Sequence, residues 1–412
     1  MIDARAALCA VLIAAASCGT SMVVPPCRLG VEHDVGRVNG TSIEEVAIVS
    51  TRGGSIVAWS STEGTFARVL AADARPRGEA RAIAPFARGG IAMASTSRGR
   101  GAAETEVVAL LAVEPGDEAG RFGAVRLWEL DAHGAPRGEP IVLGGTGLYS
   151  DGAALAAGRD GGWIAAWHDG APGAFRVRIA EVSASGAVEP RGGRIVTTEG
   201  RTAWAPSLAT SPRGWSAAWQ ETWFDDRNRE SGALRVLVPP GRARDVRPIA
   251  RPEAGPSLVW FGDRWVLSYR DNEDRDRHAE YYVGPLHARP RPAGTARTGD
   301  ATERNPHGDA RVSRANGPRP PRLVACGPVL LGVAVRSFAR NMLVGINRIG
   351  DGLEKRGGEL QVYEELQGLS RTSVACRSFD AEASELVIAY AEQGIATRPE
   401  RHVRAASMRC AR

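Results

Sequence analysis

Three acidic stretches carry most of the side chains in this chain that could do chemistry. His168 and Asp169 follow the segment Gly162-Trp-Ile-Ala-Ala-Trp167. Glu221, Trp223, Phe224, Asp225 and Asp226 follow Gly214-Trp-Ser-Ala-Ala-Trp219. Asp271, Glu273, Asp274 and Asp276 follow Arg264-Trp-Val-Leu-Ser-Tyr269. Carboxylates bind cations through oxygen, and an aromatic ring beside them offers a face for an apolar or sugar surface. The set could therefore hold a cation or a sugar. A glycosidase would need two of these carboxylates at a set separation across a cleft, a geometry that spacing along a chain does not give.

Other chemistries are poorly represented. Asp271-Asn-Glu-Asp-Arg-Asp276 has the clustered oxygen donors of a calcium loop. It lacks the glycine at the sixth position and the later bidentate glutamate, and Arg275 and Arg277 intrude. No cofactor is expected, with Ca²⁺ the one ion the stretch could take. There is no serine-nucleophile elbow, phosphate-binding glycine loop or His-Glu-x-x-His motif. His33, His133, His278, His287, His307 and His402 show no recurring carboxylate or cysteine spacing and read as surface histidines.

The segments preceding the acidic stretches belong to a repeat. Gly54-Ser-Ile-Val-Ala-Trp59 is a further strong copy, and Gly90-Ile-Ala-Met-Ala-Ser95, Leu330-Leu-Gly-Val-Ala-Val335 and Glu385-Leu-Val-Ile-Ala-Tyr390 are weaker ones. The residue before the landmark is small in all of them: Ala58, Ala94, Ala166, Ala218, Ser268, Ala334 and Ala389. Landmarks recur 36 to 72 residues apart, several near 50. The uneven steps imply insertions, such as the Gly/Arg/Glu stretch 98–121. A period near 50 belongs to propeller blades and is too long for helical or leucine-rich repeats.

Each copy has partners in a fixed order. A short apolar strand precedes it: Val46–Val49, Ala82–Ala84, Ala153–Ala156, Pro206–Ala209, Pro256–Val259, Arg322–Ala325 and Ser373–Ala375. An alternating strand follows, such as Ala124-Val-Arg-Leu-Trp128 or Phe175-Arg-Val-Arg-Ile179, then a turn at 131–134 or 183–186 and a fourth strand such as Arg194–Thr197. Alternation marks a strand with one wet face, whereas a run apolar on both faces must be covered from two sides. Four such strands repeated seven times predict an all-β chain, a seven-bladed β-propeller with four antiparallel strands per blade. Trp59, Trp167 and Trp219 then read as core packing between blades.

The last repeat, from Ser373 to about Arg409, lacks a fourth strand, and the segment from Val31 to Val38 could supply it. Strand exchange of this kind removes the edges that an open sheet would leave. It would bring Cys27 close to Cys410. Four cysteines outside the N-terminal stretch (Cys27, Cys326, Cys376 and Cys410) allow three connectivities. Cys326 and Cys376 end equivalent strands of successive blades, and pairing them requires those positions to come within disulfide reach. Residues 286–322, rich in Pro, Arg and Gly and poor in apolar residues, read as a long irregular loop between blades.

The N-terminus reads as an export signal. Arg5 supplies a weak basic region, Ala6 to Ala16 an apolar run too short to span a bilayer, and Ala15-Ala16-Ser17 precede Cys18. This resembles the lipobox of bacterial lipoproteins, with Ala15 where leucine is usual and Ser17 where Gly or Ala is commoner. The resemblance implies a signal peptide over 1–17, a lipidated Cys18 and a tether to residue 30. The soluble propeller domain then covers 31–410. Gly19 after the cysteine implies the outer membrane, at the cell surface or on its periplasmic side. The membrane would be met through the lipid anchor only.

Composition narrows the partners. The 412 residues are 43% hydrophobic and 24% charged, with a formal net charge of +5, which fits a globular body and neither disorder nor a polytopic membrane protein. Lys355 is the only lysine, so the positive charge is arginine. It is not gathered on one segment as nucleic-acid binding requires, and no nucleic-acid partner is expected. The repeat pattern over residues 40–410 is similar to that of the propeller-type lipoproteins of GC-rich Gram-negative bacteria. Sialidase-like propellers carry Ser-x-Asp-x-Gly-x-x-Trp turns, and no clean copy occurs here. The expected function is a monomeric, envelope-anchored, non-catalytic module binding a protein or glycan through one loop face. The alternative is an extracytoplasmic glycan hydrolase or lyase using the acidic loops.

Overall fold

The computed structural model describes residues 27–39, 43–84, 90–99, 104–114, 123–146, 151–171, 173–249, 255–271, 279–286, 310–315, 322–338, 341–350, 353, 355–362, 372–380, 382–392 and 400–411. They form seven four-stranded antiparallel sheets. The chain begins with β1 (Cys27–Asn39). Blade I is β2 (Ile43–Thr51), β3 (Gly54–Ser61), β4 (Gly64–Leu70) and β5 (Pro76–Ala84). Blade II is β6 (Ile91–Arg98), β7 (Thr105–Glu114), β8 (Gly123–Leu130) and β9 (Ile141–Thr146). Blade III is β10 (Asp151–Ala157), β11 (Trp163–Asp169), β12 (Arg176–Val182) and β13 (Val188–Ile195). Blade IV is β14 (Thr202–Ser211), β15 (Gly214–Phe224), β16 (Glu230–Leu237) and β17 (Arg244–Ile249). Blade V is β18 (Ser257–Phe261), β19 (Arg264–Asp271), β20 (Ala279–Pro285) and β21 (Ala310–Ala315). Blade VI is β22 (Arg322–Cys326), β23 (Val329–Phe338), β24 (Asn341–Ile349) and β25 (Lys355–Val362). Blade VII is β26 (Thr372–Phe379), β27 (Ala383–Glu392) and β28 (Glu400–Ala411), completed by β1, in the order β1-β28-β27-β26.

The first strands of all seven blades touch in sequence around the ring, and β26 touches β2, so the ring is closed as a β-propeller. Closure uses the strand expected from the N-terminal side. It begins at Cys27, four residues before the expected domain start, and its ladder pairs Cys27 directly with Cys410. Those two cysteines form a disulfide with a Cα–Cα distance of 4.0 Å, and Cys326–Cys376 form a second at 5.1 Å, joining blades VI and VII. Both pairs suit an oxidising, extracytoplasmic compartment. Among the described residues no helix is long and apolar enough to cross a membrane.

The core is seven clusters, one in each gap between neighbouring blades. Successive side chains of a strand point to opposite faces, and this gives the repeat its physical meaning. The small residue faces the next blade and the landmark faces the previous one. Ala58 packs in the gap between blades I and II, while Trp59 packs between VII and I. Ala166 and Trp167, and Ala218 and Trp219, divide in the same way. The tryptophans are buried core residues. Two close approaches need glycine: a Cβ on Gly36 would lie 2.5 Å from the Trp59 ring, and one on Gly193 would lie 2.6 Å from that of Trp167.

Two expectations need correction. Gly90–Ser95, read as the second strand of blade II, lies mostly in its first strand, β6, and Ala82–Ala84 end β5 of blade I. The true second strand, β7, lies inside stretch 98–121, read above as an insertion. Its run Val-Val-Ala-Leu-Leu-Ala-Val lacks both the opening glycine and the aromatic landmark. The small residue seen at Ala94 is the ladder partner of the small residue of β7, Ala109. Similarly, segment 286–322 contains β21, the fourth strand of blade V, formed by pairing with β20 and not by apolar content.

Candidate functional site

In every blade the first-to-second turn lies at one end of the ring. The second-to-third and fourth-to-first connections lie at the other, called here the loop face. His168 and Asp169 end β11, Glu221, Trp223 and Phe224 lie at the end of β15, and Asp225 and Asp226 lie in the turn after it. Asp271 ends β19, opposite Glu280. Glu273, Asp274 and Asp276 fall outside the described residues, as does Cys18. The topology thus brings the blade III and IV residues and Asp271 to one face, as their position after the landmark strand requires.

The described side chains do not converge on a cleft. Asp169 accepts a hydrogen bond from Arg178 Nε at 2.8 Å, and Arg178 Nη1 also donates to the Gly192 carbonyl at 3.1 Å. His168 is buried between Gly152 and Ala205, edge-on to Phe175 at a centroid distance of 5.4 Å. Its Nδ1 accepts the Ala205 N–H over a long 3.4 Å. Burial pushes its pKa down to about 4, so the ring is neutral at pH 7, as an accepting ring nitrogen requires.

Glu221 is fully buried and belongs to a knot between blades III and IV. Its carboxylate accepts the Thr198 N–H at 3.0 Å, Trp219 Nε1 at 3.0 Å and Arg201 Nη1 at 3.3 Å, and Arg235 Nε lies 3.7 Å away. Arg235 donates onward to Asp245 at 2.7 Å. The Arg201 guanidinium also lies 3.8 Å from the centroid of the Trp223 ring, a cation–π contact. Asp225 organises its own turn, accepting the N–H groups of Arg227 and Arg229 at 2.9 Å and the Arg229 side chain at 2.7 Å. Hydrogen bonding to Arg229 holds its carboxyl below the usual range. Asp226 is exposed, and Phe224 beside it is 68% exposed.

A general acid or nucleophile must reach its substrate. Asp169, Glu221 and Asp225 are instead spent on arginines and backbone donors. Among the described residues no group of three His, Cys, Asp or Glu side chains could hold a metal ion. What this part of the loop face offers outward is Phe224, with Trp223 and the ion-paired Arg201 partly exposed beside it.

The acidic pattern pointed to carboxylates but missed their partners. Arg178 stands in the alternating strand Phe175–Ile179, two residues on from Arg176, the ladder partner of Asp169, and so on the same face of the β11–β12 hairpin as Asp169. Arg235, opposite Trp219 in the β15–β16 hairpin, holds the equivalent place beside Glu221, whereas Arg201 had no comparable local signal, because it reaches Glu221 only after the III–IV connection folds back. Two cavities accompany these features. One, about 610 Å³, opens between blades III and IV on the opposite face, beside Trp163, Trp215, Pro239 and Pro240. The other, about 240 Å³, is the axial channel between the first strands.

No protein-family model matches the chain, and no curated protein matches it. Solved structures resemble it at fold level only. A protein of unknown function from Dyadobacter fermentans is 11% identical, with a TM-score of 0.46, over 94% of this chain and all of the other. An α-L-arabinanase of Penicillium chrysogenum, solved with arabinobiose, is 10% identical with a TM-score of 0.46 over 80% and 98% of the two chains. The PQQ-bound aldose sugar dehydrogenase of Streptomyces coelicolor is 15% identical with a TM-score of 0.41 over 93% and 100%.

Proposed function

We propose that the protein is a non-catalytic binding module of the cell envelope, which takes a protein or glycan ligand on its loop face. The observation that carries this reading is the commitment of the described loop-face carboxylates to arginines, beside the exposed Phe224 and the partly exposed Trp223–Arg201 stack. Aromatic and arginine side chains dominate recognition surfaces because they bury large area at low entropic cost.

Anchoring through Cys18 belongs to the same proposal. Strand direction supports it: Cys27 lies at the turn end of β1, because Asn39 leads into the loop-face end of β2. A lipid on Cys18 would be joined to that end by nine residues, a reach of at most about 30 Å. The loop face would then point away from the membrane.

A glycan array run beside a broad glycosidase screen on the purified protein tests the function. Binding without turnover is expected, and Phe224→Ala should abolish binding while leaving the melting temperature unchanged. Turnover lost in Asp225→Ala or Asp271→Ala would establish the hydrolase or lyase reading instead. Mass spectrometry tests the anchor: a diacylated Cys18 at the mature N-terminus is expected, and an unmodified terminus upstream of it contradicts it.

A further inference from the structure

The cavity between blades III and IV, on the face opposite the loop face, is charged differently at its two ends. First strands line the axis, so β12 and β13 stand toward the perimeter. They bring Glu181 and Glu189 to the outer end of the cavity, as direct ladder partners. Side chains so placed have Cβ atoms about 5 Å apart, and like charges there repel. Both carboxylates are exposed, and neither has a side-chain partner among the described residues. The inner end is made by the first-to-second turns, with Arg159, Asp160 and Arg213. Arg159 Nη2 donates to the Arg213 carbonyl and so ties one turn to the other. Two arginines against one aspartate leave this end positive.

Between the two ends the wall is apolar: Ile164 from blade III, and Trp215, Pro239 and Pro240 from blade IV. Trp215 is only 9% exposed, and its Nε1 is a donor with no acceptor among the described residues. That nitrogen is still reachable by solvent, and the ring lines the cavity, so its N–H is offered to a guest there. A matching guest supplies a cation to the outer end, an acceptor to Trp215, and an apolar stem between them. An arginine residue within a polypeptide has all three. Its guanidinium fork meets carboxylates and stacks on aromatic rings, its stem is methylene, and its main-chain carbonyl accepts. The volume of about 610 Å³ has room for such a residue and its flanking peptide groups.

We propose that this cavity binds an arginine residue of a partner polypeptide. The guanidinium lies against Glu181 and Glu189, and the main-chain carbonyl accepts from Trp215 Nε1. The site goes beyond the loop-face reading and does not depend on it.

Calorimetry on the oxidised full chain, at fixed ionic strength, tests the proposal with a capped glycine pentapeptide carrying arginine at its centre. The same peptide with citrulline serves as the neutral isostere, and free arginine separates a polypeptide source from an amino acid. One arginine peptide per chain is expected, with the citrulline peptide at least about tenfold weaker and free arginine weaker as well. The double variant E181Q/E189Q relieves a repelling pair on an exposed surface and leaves the core untouched. It should weaken the arginine peptide about tenfold. Trp215→Phe, which keeps a ring but loses Nε1, should weaken it about threefold. The glutamine variant carries the test if Trp215→Phe fails to fold by circular dichroism. Equal affinity for the citrulline peptide, tighter binding of free arginine, unchanged affinity in E181Q/E189Q, or no heat at millimolar peptide would each overturn the proposal.

Discussion

The hub of blades I to III and the hub of blades IV to VII solve one packing problem with different chemistry. In the first half, neighbouring first strands meet through alanine and branched aliphatic side chains, as where Ala47 of β2 and Ile91 of β6 share a cluster. In the second half, serine hydroxyls cross from blade to blade and a disulfide joins β22 to β26. Polar links do exist in the first half, but away from the axis. There Arg98 pairs with Glu129, which also accepts from Trp163 Nε1 at 3.2 Å. Since the aliphatic half closes without hydroxyls, the fold alone does not demand the serines of the other half. The comparison separates what a propeller hub needs from what this hub has added.

The largest break in the comparison comes from charge at the boundary of the two halves. Glu221→Ala leaves Arg201 and Arg235 without their buried partner and should cost about 3–5 kcal/mol, read as a fall in the urea midpoint. Asp169→Ala, in the first half, removes a partly solvated pair and should cost clearly less.

Opening the covalent link is next. The Cys326→Ala/Cys376→Ala variant should lose about 2–4 kcal/mol, and reduction of the wild type, which also opens Cys27–Cys410, should lose at least as much. Were the variant to unfold at the wild-type denaturant midpoint, the second half would owe nothing to its cross-link.

Acidification probes the boundary from the blade III side. His168 has a pKa of about 4 when folded against 6.5 for the free side chain, so the folded state favours the neutral ring. Stability from this group is complete above pH 6.5, declines as pH falls and is fully lost below pH 4, by about 3 kcal/mol. His168→Gln should flatten that part of the stability–pH curve. An unchanged slope would mean that the ring is not held neutral between blades III and IV.

The smallest effects lie at the axis. Ser207→Ala and Ser257→Ala each remove one inter-blade hydrogen bond and should cost about 1 kcal/mol. Ala154→Ser transplants the device into the first half, toward the blade IV strand. It should be neutral or stabilising by up to about 1 kcal/mol, checked by thermal denaturation.

The blade pattern was legible because a strand buried on both faces has few residue choices, and a small residue next to a tryptophan repeats that constraint visibly. It failed at β7, where leucine and valine satisfy the same burial without an aromatic landmark. It failed again at β21, held by main-chain pairing that needs no particular side chain. Both disulfides followed from the closure argument and from equivalent strand ends. The candidate site was legible only by half. Position after a landmark strand placed His168, Asp169 and Glu221 on one face. Arg178 and Arg235 sit in the next strand of the same hairpins, but Arg201 depends on where the III–IV connection returns, folding onto Glu221 and Trp223. The Pro-Ser-Leu repeats at 206–208 and 256–258 were visible as strands, but that their hydroxyls join adjacent blades required the ring itself.

The seven blades form a single ring, closed in blade VII by β1. Hydrogen exchange measured by mass spectrometry, before and after disulfide reduction, tests this most directly. The expected result is faster exchange on reduction in β1, β28, β22 and β26, with β7, β11 and β12 protected as before. Exchange that rises first in blades I to III, or β1 amides that exchange freely while the disulfides are intact, would contradict it.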